Sequence, residues 1–514
     1  MGEEGTPTVV IIGAGPAGLT AAYQLCKAGA IPVVLEQDLT VGGLAKTVNY
    51  KGFRFDIGGH RFYTKAKAAS DIWREVLSLE DFKRRKRLSR IYYNKRFFHY
   101  PLRASSMLFN LGWWNGCLIL FSYLRARIFP EKNERTFEQW VTNRFGKRLY
   151  RTFFKSYTEK IWGIPCDEIT AGWAAQRIKG LSLYEILKDI FSRQTGREKS
   201  GVVKTLVNEF DYPRLGPGMM WEAMAEIIRD TGGVVRTDSG VERINWSQGA
   251  VVSVEILSGG QSEILRGTHF ISSMPVRELV RKLSPAPPEQ VLAAAEKLQY
   301  RDYLTVVLVV NRRHLFPDNW IYIHDPEVKI GRVQNFKNWS REMVPDPEKT
   351  CLGLEYFCFK GDGLWNLSDD ELIELGKREL AHLGLIEIAD VEEGTVVRVP
   401  KAYPVYDSTY TESLETVRRF FATLPNLQMV GRNGMHKYNN QDHSMMTGLL
   451  AAENILGANY DLWEVNVDQD YQEEFQGGSS VGLSRSLSDL ASTQPMVPEH
   501  VRLRTVESAI EYET

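Results

Sequence analysis

The stretch that decides the fold is Val9-Val10-Ile11-Ile12-Gly13-Ala14-Gly15-Pro16-Ala17-Gly18. An apolar strand runs into a turn at Gly13, Gly15 allows the backbone to approach a pyrophosphate, and Gly18 allows the following helix to pack closely. The N-terminus of that helix would face the phosphates, because its free amides and its dipole favour anions. Glu36 ends the next apolar run, where a carboxylate can accept hydrogen bonds from a ribose. The spacing therefore favours a βαβ unit that binds a dinucleotide over an ordinary βαβ turn.

Two further glycine-bearing turns follow the acidic residue, namely Gly42-Gly43 and Gly58-Gly59-His60. Backbone at glycine can pass close to a flat ring, and successive amides can hydrogen-bond a second phosphate or the ring edge. A nicotinamide enzyme has no need of such turns here, although each pair taken alone could be a tight turn. The order resembles the FAD-binding half of the amine oxidase and protoporphyrinogen oxidase superfamily. The resemblance implies FAD as the cofactor, with Gly43 and Gly59 beside it.

The composition predicts a soluble, globular chain. Its 514 residues are 43% hydrophobic, and 63 basic residues balance 64 acidic ones. This length predicts about two or three domains, and the net charge of -1 gives no argument for nucleic-acid binding. Five cysteines occur without metal-ligand spacing, so neither a disulfide framework nor a metal site is predicted. The polar first residues lack a signal-peptide pattern, which predicts a cytoplasmic protein.

Periodicity and turn signals divide the chain into a cofactor fold with two interruptions. Helical stretches indicate an inserted helical domain, and later β-branched runs indicate an antiparallel sheet, the natural platform for a substrate. The predicted fold class is α/β: a Rossmann-type FAD-binding domain with an inserted helical domain and an antiparallel β-sheet substrate domain. The expected segments are FAD-binding parts at 1–65, 201–295 and 401–460, the helical insertion at 66–200, the sheet at 296–400, and a loosely packed tail at 461–514.

Two features of the helical segment bear on its surroundings. The basic run Lys83-Arg84-Arg85-Lys86-Arg87 is typical of a solvated helix or loop face. The apolar stretch 107–121 is too short and too broken by Asn and Gly to span a membrane. Arg103, Arg125 and Arg127 flank it, so it could lie in a membrane interface and give a peripheral membrane contact; the composition favours a helix in the domain core.

A second decisive stretch is Phe153-Phe154-Lys155-Ser156-Tyr157-Thr158-Glu159-Lys160-Ile161-Trp162-Gly163. Tyrosine and tryptophan offer a base or sugar a flat apolar face and one polar handle, although packing between helices would explain either aromatic alone. The stretch resembles the Tyr-Thr-Glu-Lys-x-Trp-Gly segment of UDP-galactopyranose mutases, flavoenzymes that interconvert the pyranose and furanose rings of nucleotide sugars. The resemblance implies that Tyr157 and Trp162 line the substrate pocket.

Further matches to the mutases imply residues around the flavin and the diphosphate. Gly58-Gly59-His60 resembles a turn that places a histidine beside the flavin. Arg332 lies in a stretch that resembles the segment with a diphosphate-binding arginine, although Asn335-Phe336 stands where the family usually has Glu-His. A second such arginine would be Arg177, whose spacing from the aromatic segment is close to that of the family. Isolated arginines are more often surface salt-bridge partners, but two guanidinium forks on one diphosphate are chemically sensible.

The last match is residues 431–442, which resemble the C-terminal segment that flanks the flavin and the substrate phosphates. The resemblance implies that Arg432 and Asp442 bind the cofactor and that Tyr438 binds the substrate. A helix that starts near Asp442 would direct its amides at the flavin. Asp442 could instead serve only as a helix cap.

The resemblance implies a mutase that acts on a nucleotide sugar, with reduced flavin N5 as the nucleophile and a separate flavin reductant as a partner. His60, Arg177 and Arg332 would be its catalytic residues. The alternative is an FAD-dependent oxidoreductase that takes a hydride from a small-molecule or lipid-linked substrate. The same scaffold fits both activities. The segment from Tyr157 to Trp162, with Arg332 and Tyr438, favours the mutase.

Overall fold

A parallel sheet forms the centre of the cofactor half. The computed structural model describes residues 8–62, 64–100, 113–172, 205–206, 209–466 and 474–475. Five parallel strands follow the order Val234–Arg236, Val33–Leu35, Val9–Ile12, His269–Ser272 and Leu427–Met429. Val10 stands opposite Val33 on one side and Phe270 on the other. Every residue of the central strand is buried, as is usual inside a parallel sheet.

Two helices pack at very short range beside this sheet. Pro16–Lys27 follows the central strand and packs against Gln441–Ile455. A Cβ on Gly448 would lie 2.0 Å from the carbonyl oxygen of Ala17, so only glycine permits this approach. The start of the first helix is thereby held against the middle of the second. The predicted βαβ unit is confirmed.

The rest of the cofactor half surrounds this centre. A smaller sheet contains Ser239–Ser247, Ala250–Ser258, Gln261–Arg266 and Leu283–Ser284. The hairpin of Thr47–Tyr50 and Phe53–Asp56 leads into the Gly58-Gly59 turn. The helices here are Lys67–Val76, Gly218–Asp230, Val276–Arg281, Glu289–Lys297 and Tyr410–Phe421. Single turns of 3-10 helix lie at Gly43–Ala45, Leu79–Asp81 and Leu462–Glu464.

A seven-stranded sheet forms the other half of the molecule. Its order is Val391–Pro404, Tyr300–Val310, Thr350–Cys358, Arg332–Asn335, Trp320–Ile323, Ser89–Tyr93 and Arg96–His99. All neighbours pair antiparallel except Trp320–Ile323 with Ser89–Tyr93, which pair parallel. The helix Asp369–His382 covers one face through Leu372 and Leu380. Shorter helical elements here are Phe336–Trp339, Arg341–Met343 and Ile388–Asp390. The predicted antiparallel sheet is confirmed apart from this one parallel pair, and its role as a substrate platform stays a prediction.

The segment predicted as a helical insertion, 66–200, contains strands as well as helices. The basic run predicted as a solvated helix or loop forms the strand Phe82–Lys86, which pairs with Glu209–Pro213. Ser89–Tyr93 and Arg96–His99 form a hairpin whose turn residues, Asn94 and Lys95, both have positive φ. Such a two-residue turn matches the twist of a hairpin, and the sequence reasoning overlooked it between two aromatic runs. The boundaries of the predicted domains stay predictions.

The helical part of this segment packs against the edge of the seven-stranded sheet. It contains Trp113–Ile128, Phe137–Phe145, Lys147–Leu149, the π-helical Tyr150–Lys155 and Ser156–Trp162. Phe98 of the sheet edge, Phe153 and Trp162 belong to its apolar cluster. A last strand pair joins Thr205–Leu206 to Glu474–Phe475. Of the helices that the structure describes, none combines the length and apolar character needed to cross a membrane.

Candidate active site

The first glycine turn and Glu36 have the predicted arrangement. The amide of Gly13 donates to the carbonyl of Leu35 at 2.7 Å, and the turn at Gly13 has a φ of 100°. The Glu36 carboxylate accepts the amides of Ala14 at 2.8 Å and Asp38 at 2.9 Å. Each carboxylate oxygen keeps a second lone pair, which a ribose hydroxyl could use. Burial raises the pKa of Glu36.

The predicted glycines have different physical roles. A Cβ on Gly13 would lie 2.2 Å from Ser273 Oγ, and one on Gly18 would lie 1.9 Å from the Gly13 carbonyl oxygen, so both are required by the packing of the protein itself. A Cβ on Gly15 would meet only Gly43 Cα, at 3.8 Å. Bare backbone at Gly15 thus faces open space beside a helix N-terminus, and this arrangement fits a diphosphate. A Cβ on Gly43 would lie 3.2 Å from Gly15 Cα, so the two backbones approach each other closely here.

A cavity of about 680 Å³ extends from the Gly58-Gly59 turn between the two halves of the molecule. This volume is typical of small-molecule and cofactor sites. The structure brings most of the remaining predicted site residues together in its lining: Gly59, His60, Tyr157, Trp162, Arg332, Arg432, Tyr438 and Asp442.

His60 is flanked by two predicted arginines. Burial, together with the positive charges of Arg432 and Arg332, lowers the pKa of His60 to about 3. Its Nδ1 is buried and has no hydrogen-bond partner among the described residues. Gln441 Nε2 donates to the His60 carbonyl at 3.3 Å and ties this turn to a helix N-terminus. His60 thus lines the cavity as a neutral imidazole.

We expect His60 to remain neutral at physiological pH. The pKa of His60 is lower in the folded protein than the unfolded value of about 6.5. The stability that the folded state gains from keeping His60 neutral is therefore fully present above that pH. It decreases as the pH falls toward 3. The ¹⁵N shifts of His60, assigned by their loss in His60→Gln, should show no titration between about pH 5 and pH 8. A midpoint near the ordinary histidine pKa would contradict the arrangement.

Arg332 is held in place by a buried carboxylate. Its Nε and Nη2 donate to Glu355 Oε2 at 2.9 and 2.6 Å, while Gln334 Nε2 donates to Glu355 Oε1 at 2.8 Å. The Glu355 side chain is only 1% exposed and that of Arg332 19%. Nη1 of Arg332 lies toward Gly59. The arginine is therefore a partner in a buried ion pair, and the surface salt bridge considered from the sequence is wrong.

The aromatic segment rests on a histidine that the sequence did not indicate. The Tyr157 ring stacks on His324 at 4.1 Å and 8°, and it meets Tyr322 edge-on at 6.0 Å. The preceding residues Tyr150–Lys155 form a π-helix, a conformation that often occurs at functional sites. Burial raises the pKa of Tyr157, so its hydroxyl stays protonated and can donate a hydrogen bond.

Two buried cations fix this segment and were also missed. Lys160 Nζ donates to the carbonyls of Ile323, Asp325 and Ile330 at 2.8 to 3.1 Å, and burial lowers its pKa to about 8. Arg301 donates to the carbonyls of Ile161 and Phe357 at 3.1 and 2.9 Å. Lys160 thus holds the loop that carries His324 in place. No spacing in the sequence links these partners.

Arg432 joins the two halves of the molecule at the cavity. Its Nη1 donates to the carbonyl of Ala402 at 3.2 Å, and the neighbouring Asn433 Nδ2 donates to that of Lys401 at 2.8 Å. The guanidinium also lies over the ring of Tyr438 at 4.7 Å. Tyr438 stacks on Tyr403, with ring centroids 5.6 Å apart. Arg432 therefore holds the stacked rings of Tyr403 and Tyr438 in position, in addition to carrying a positive charge.

Asp442 occupies the first turn of the helix Gln441–Ile455, whose N-cap is Asn440. The Asn440 amide donates to His443 Nδ1 at 3.2 Å. The alternative in which Asp442 is only the helix cap is therefore wrong. Asn440, Gln441 and Asp442 all line the cavity, so this N-terminus faces it. The predicted contact of its amides with the flavin stays a prediction.

The described lining is strongly cationic. It carries five cationic side chains and one carboxylate, Asp442; the cations are Arg61, Arg332, Arg418, Arg432 and Lys437. Burial lowers the pKa of Lys437 to about 8. Such a lining favours an anionic ligand.

A family model described as flavin containing amine oxidoreductase matches residues 16–456, which is most of the chain. The chain belongs to the flavin-containing amine oxidoreductases. Membership implies FAD as the cofactor, and the unpartnered His60 nitrogen and the open Gly15 backbone fit a bound group of this kind.

Two solved structures of other proteins share the fold. A reduced UDP-galactopyranose mutase superposes with a TM-score of 0.78 at 23% identity, covering 90% of this chain and 98% of that one. An engineered variant of putrescine oxidase superposes with a TM-score of 0.56 at 17% identity, covering 88% and 98%. At these identities the likeness concerns the fold alone.

The chain matches curated relatives over only short parts of their length. An inactive all-trans-retinol 13,14-reductase of Danio rerio is 54% identical over 50 residues, 10% of this chain and 8% of the relative. An L-amino acid oxidase of Crotalus durissus cumanensis is 34% identical over 110 residues, 19% of this chain and 22% of the relative. The chain thus aligns with less than a quarter of either protein.

The structure does not place two of the sequence-based assignments in the described cavity. Arg177 falls outside the described residues, so its role stays a prediction. Asn335 and Phe336 are both buried, and Phe336 packs on Gly353 and on Phe55. Neither residue lines the cavity. Their departure from the mutase pattern therefore concerns buried positions of the sheet, outside the described lining.

Proposed function

We propose that this member of the family is a mutase that interconverts the pyranose and furanose forms of a nucleotide sugar. The observation that carries the proposal is the cationic, aromatic lining of the cavity, with Arg332 fixed by Glu355. A nucleotide sugar has a dianionic diphosphate, an aromatic base and a sugar, and the cavity has a partner for each. Arginine binds phosphate oxygens through a planar fork.

The proposal gives the residues of this chain separate tasks. Arg332 binds the diphosphate through the nitrogen that Glu355 leaves unused, and Arg177 assists as a second fork. Tyr157, Trp162 and Tyr438 bind the base and the sugar through ring faces and hydroxyls. His60 stays neutral, so it adds no charge between the two arginines. When bound, FAD in its reduced form supplies the nucleophile for the ring interconversion, and a separate reductant keeps it reduced.

The alternative activity is hydride removal by oxidised FAD. The putrescine oxidase likeness is compatible with that chemistry at the level of the fold. A cationic amine substrate, however, would have to enter a lining whose described part carries five cationic side chains and one carboxylate. Arg332 and Arg418 are paired with Glu355 and Glu415. Arg432 and Lys437 therefore contribute more to the repulsion of a cation. Coulomb repulsion in a partly desolvated cavity opposes such a substrate. The charge of the lining therefore favours the mutase.

The redox state of the flavin separates the two functions. We expect that no UDP-sugar bleaches the oxidised flavin under anaerobic conditions, and that the dithionite-reduced enzyme isomerises at least one UDP-sugar without consuming electrons. Absorbance spectra and chromatography of the sugars report both results. Substrate-driven bleaching, with a stoichiometric oxidised product, would establish the oxidoreductase and exclude the mutase.

A further inference from the structure

The helix Trp113–Ile128 exposes an apolar face. Phe121, Leu124 and Ile128 follow one another at helical spacing and are 68%, 49% and 68% exposed. Ile119 and Tyr123, on the opposite side, are buried in the cluster that contains Trp162. A helix that is apolar all round is normally covered on all sides. The prediction of a core helix is therefore right for one face and wrong for the other.

The surroundings of this face are strongly basic. Exposed cations stand on the helix and on the adjoining turn, namely Arg125, Arg127, Lys147, Arg148 and Arg151. Arg148 is tied to the helix, since its amide donates to Ser122 Oγ at 3.0 Å and its Nη2 to Asn115 Oδ1 at 2.7 Å. Between residues 113 and 155, nine basic residues stand against three acidic ones, whereas the whole chain has a net charge of -1. The positive charge is thus concentrated around the apolar face.

We propose that this face docks on the surface of an anionic lipid bilayer. Phe121, Leu124 and Ile128 would enter the boundary between headgroups and acyl chains, while the flanking arginines bind lipid phosphates. An apolar helix face bordered by Lys and Arg is the pattern of interfacial helices, which lie in the membrane plane. Each cation near an anionic surface adds electrostatic attraction to it, and salt weakens this attraction by screening. The helix lies flat and spans about 24 Å of surface, at 1.5 Å per residue.

Docking would bring the substrate cavity close to the membrane. The buried side of the helix belongs to the same apolar cluster as Phe153 and Trp162, and Tyr438 packs against that cluster. Trp162 and Tyr438 also line the cavity. The docking helix and two residues of the cavity lining therefore share one apolar cluster.

Vesicle flotation of the flavin-loaded full chain tests the proposal. Wild-type protein should float with mixed phosphatidylcholine–phosphatidylglycerol vesicles and stay below with phosphatidylcholine alone. Raising the salt from about 0.05 to about 0.5 M should release much of it. Phe121→Glu/Leu124→Glu should reduce the bound fraction by about tenfold or more, because two apolar side chains no longer insert. The control Val252→Glu/Ile264→Glu changes two residues that are 46% and 60% exposed on another sheet, and it should float like wild type.

Three results would overturn the proposal. One is the failure of wild-type protein to float with the anionic vesicles, and another is equal flotation of the Phe121→Glu/Leu124→Glu variant with its flavin spectrum intact. The third is that a second copy of the chain covers the apolar face. In that case light scattering without lipid would give twice the monomer mass, the Phe121→Glu/Leu124→Glu variant would be monomeric, and the wild-type protein would not bind vesicles.

Discussion

Gly15→Val is expected to give a folded protein that binds no flavin. The backbone at Gly15 has a φ of -81°, which valine adopts without strain. The nearest protein atom to a new Cβ is Gly43 Cα at 3.8 Å, an ordinary contact. The valine methyls would instead fill the space at the helix N-terminus that a pyrophosphate needs. The purified variant should be colourless, should release no FAD on denaturation, and should keep the circular dichroism of the fold.

Valine substitutions at two other glycines serve as controls for this result. Gly363→Val adds a side chain with no heavy atom within 4 Å of its Cβ, so this variant should remain yellow. Gly18→Val places a Cβ 1.9 Å from the carbonyl oxygen of Gly13 and should fail to fold, with or without cofactor. A Gly15→Val protein loaded fully with flavin would move the phosphate site away from this turn.

Arg332→Ala is expected to lower the free energy of unfolding by about 3–5 kcal/mol, the usual cost of leaving one charge of a buried pair without its partner. Glu355 is 1% exposed, and Arg332 supplies both hydrogen bonds to its Oε2. The same variant should also weaken nucleotide-sugar binding by about 1.5–3 kcal/mol, since a charge-assisted hydrogen bond is lost. Denaturant unfolding and titration calorimetry measure the two effects separately.

A double variant separates stability from recognition. Arg332→Met/Glu355→Gln removes both charges together, and its glutamine can still accept from Gln334, so most of the lost stability should return. Its affinity for nucleotide sugars should stay low, because the guanidinium group that would bind the diphosphate is absent. Arg332→Lys should keep stability and recover only part of the affinity. Full affinity in the double variant would reduce Arg332 to a structural partner of Glu355.

The sequence predicted the parts of the molecule that depend on local chemistry. Glycines at 13, 15 and 18 with an acid at 36 require a particular strand, turn and helix, and these were found at the expected positions. The β-branched runs around Val307 and Leu354 likewise predicted paired strands, and the two residues lie in neighbouring strands. In each case the physical constraint acts over a few residues, so the pattern is visible in the chain itself.

The supports of the site could not be predicted in this way. His324 lies 167 positions after Tyr157, and Glu355 lies 23 positions after Arg332, yet each pair is in direct contact. Their pairing depends on how helices and sheets pack, and no spacing rule connects them. The prediction that the apolar helix Trp113–Ile128 is a core helix was partly wrong for a related reason. Its composition suits burial, but the packing covers only one of its two faces.

The bonds of Arg432 and Asn433 to the carbonyls of Ala402 and Lys401 also determine how the molecule can move. They fasten the parallel sheet to the strand Val391–Pro404 at the rim of the cavity, where a hinge between the two halves would have to open. A hinge motion requires an interface that can separate at a small cost in free energy. Charged or buried hydrogen bonds across the interface raise that cost. We therefore expect the two halves to behave as one rigid body during turnover, and substrate entry to depend on local rearrangement of side chains and loops.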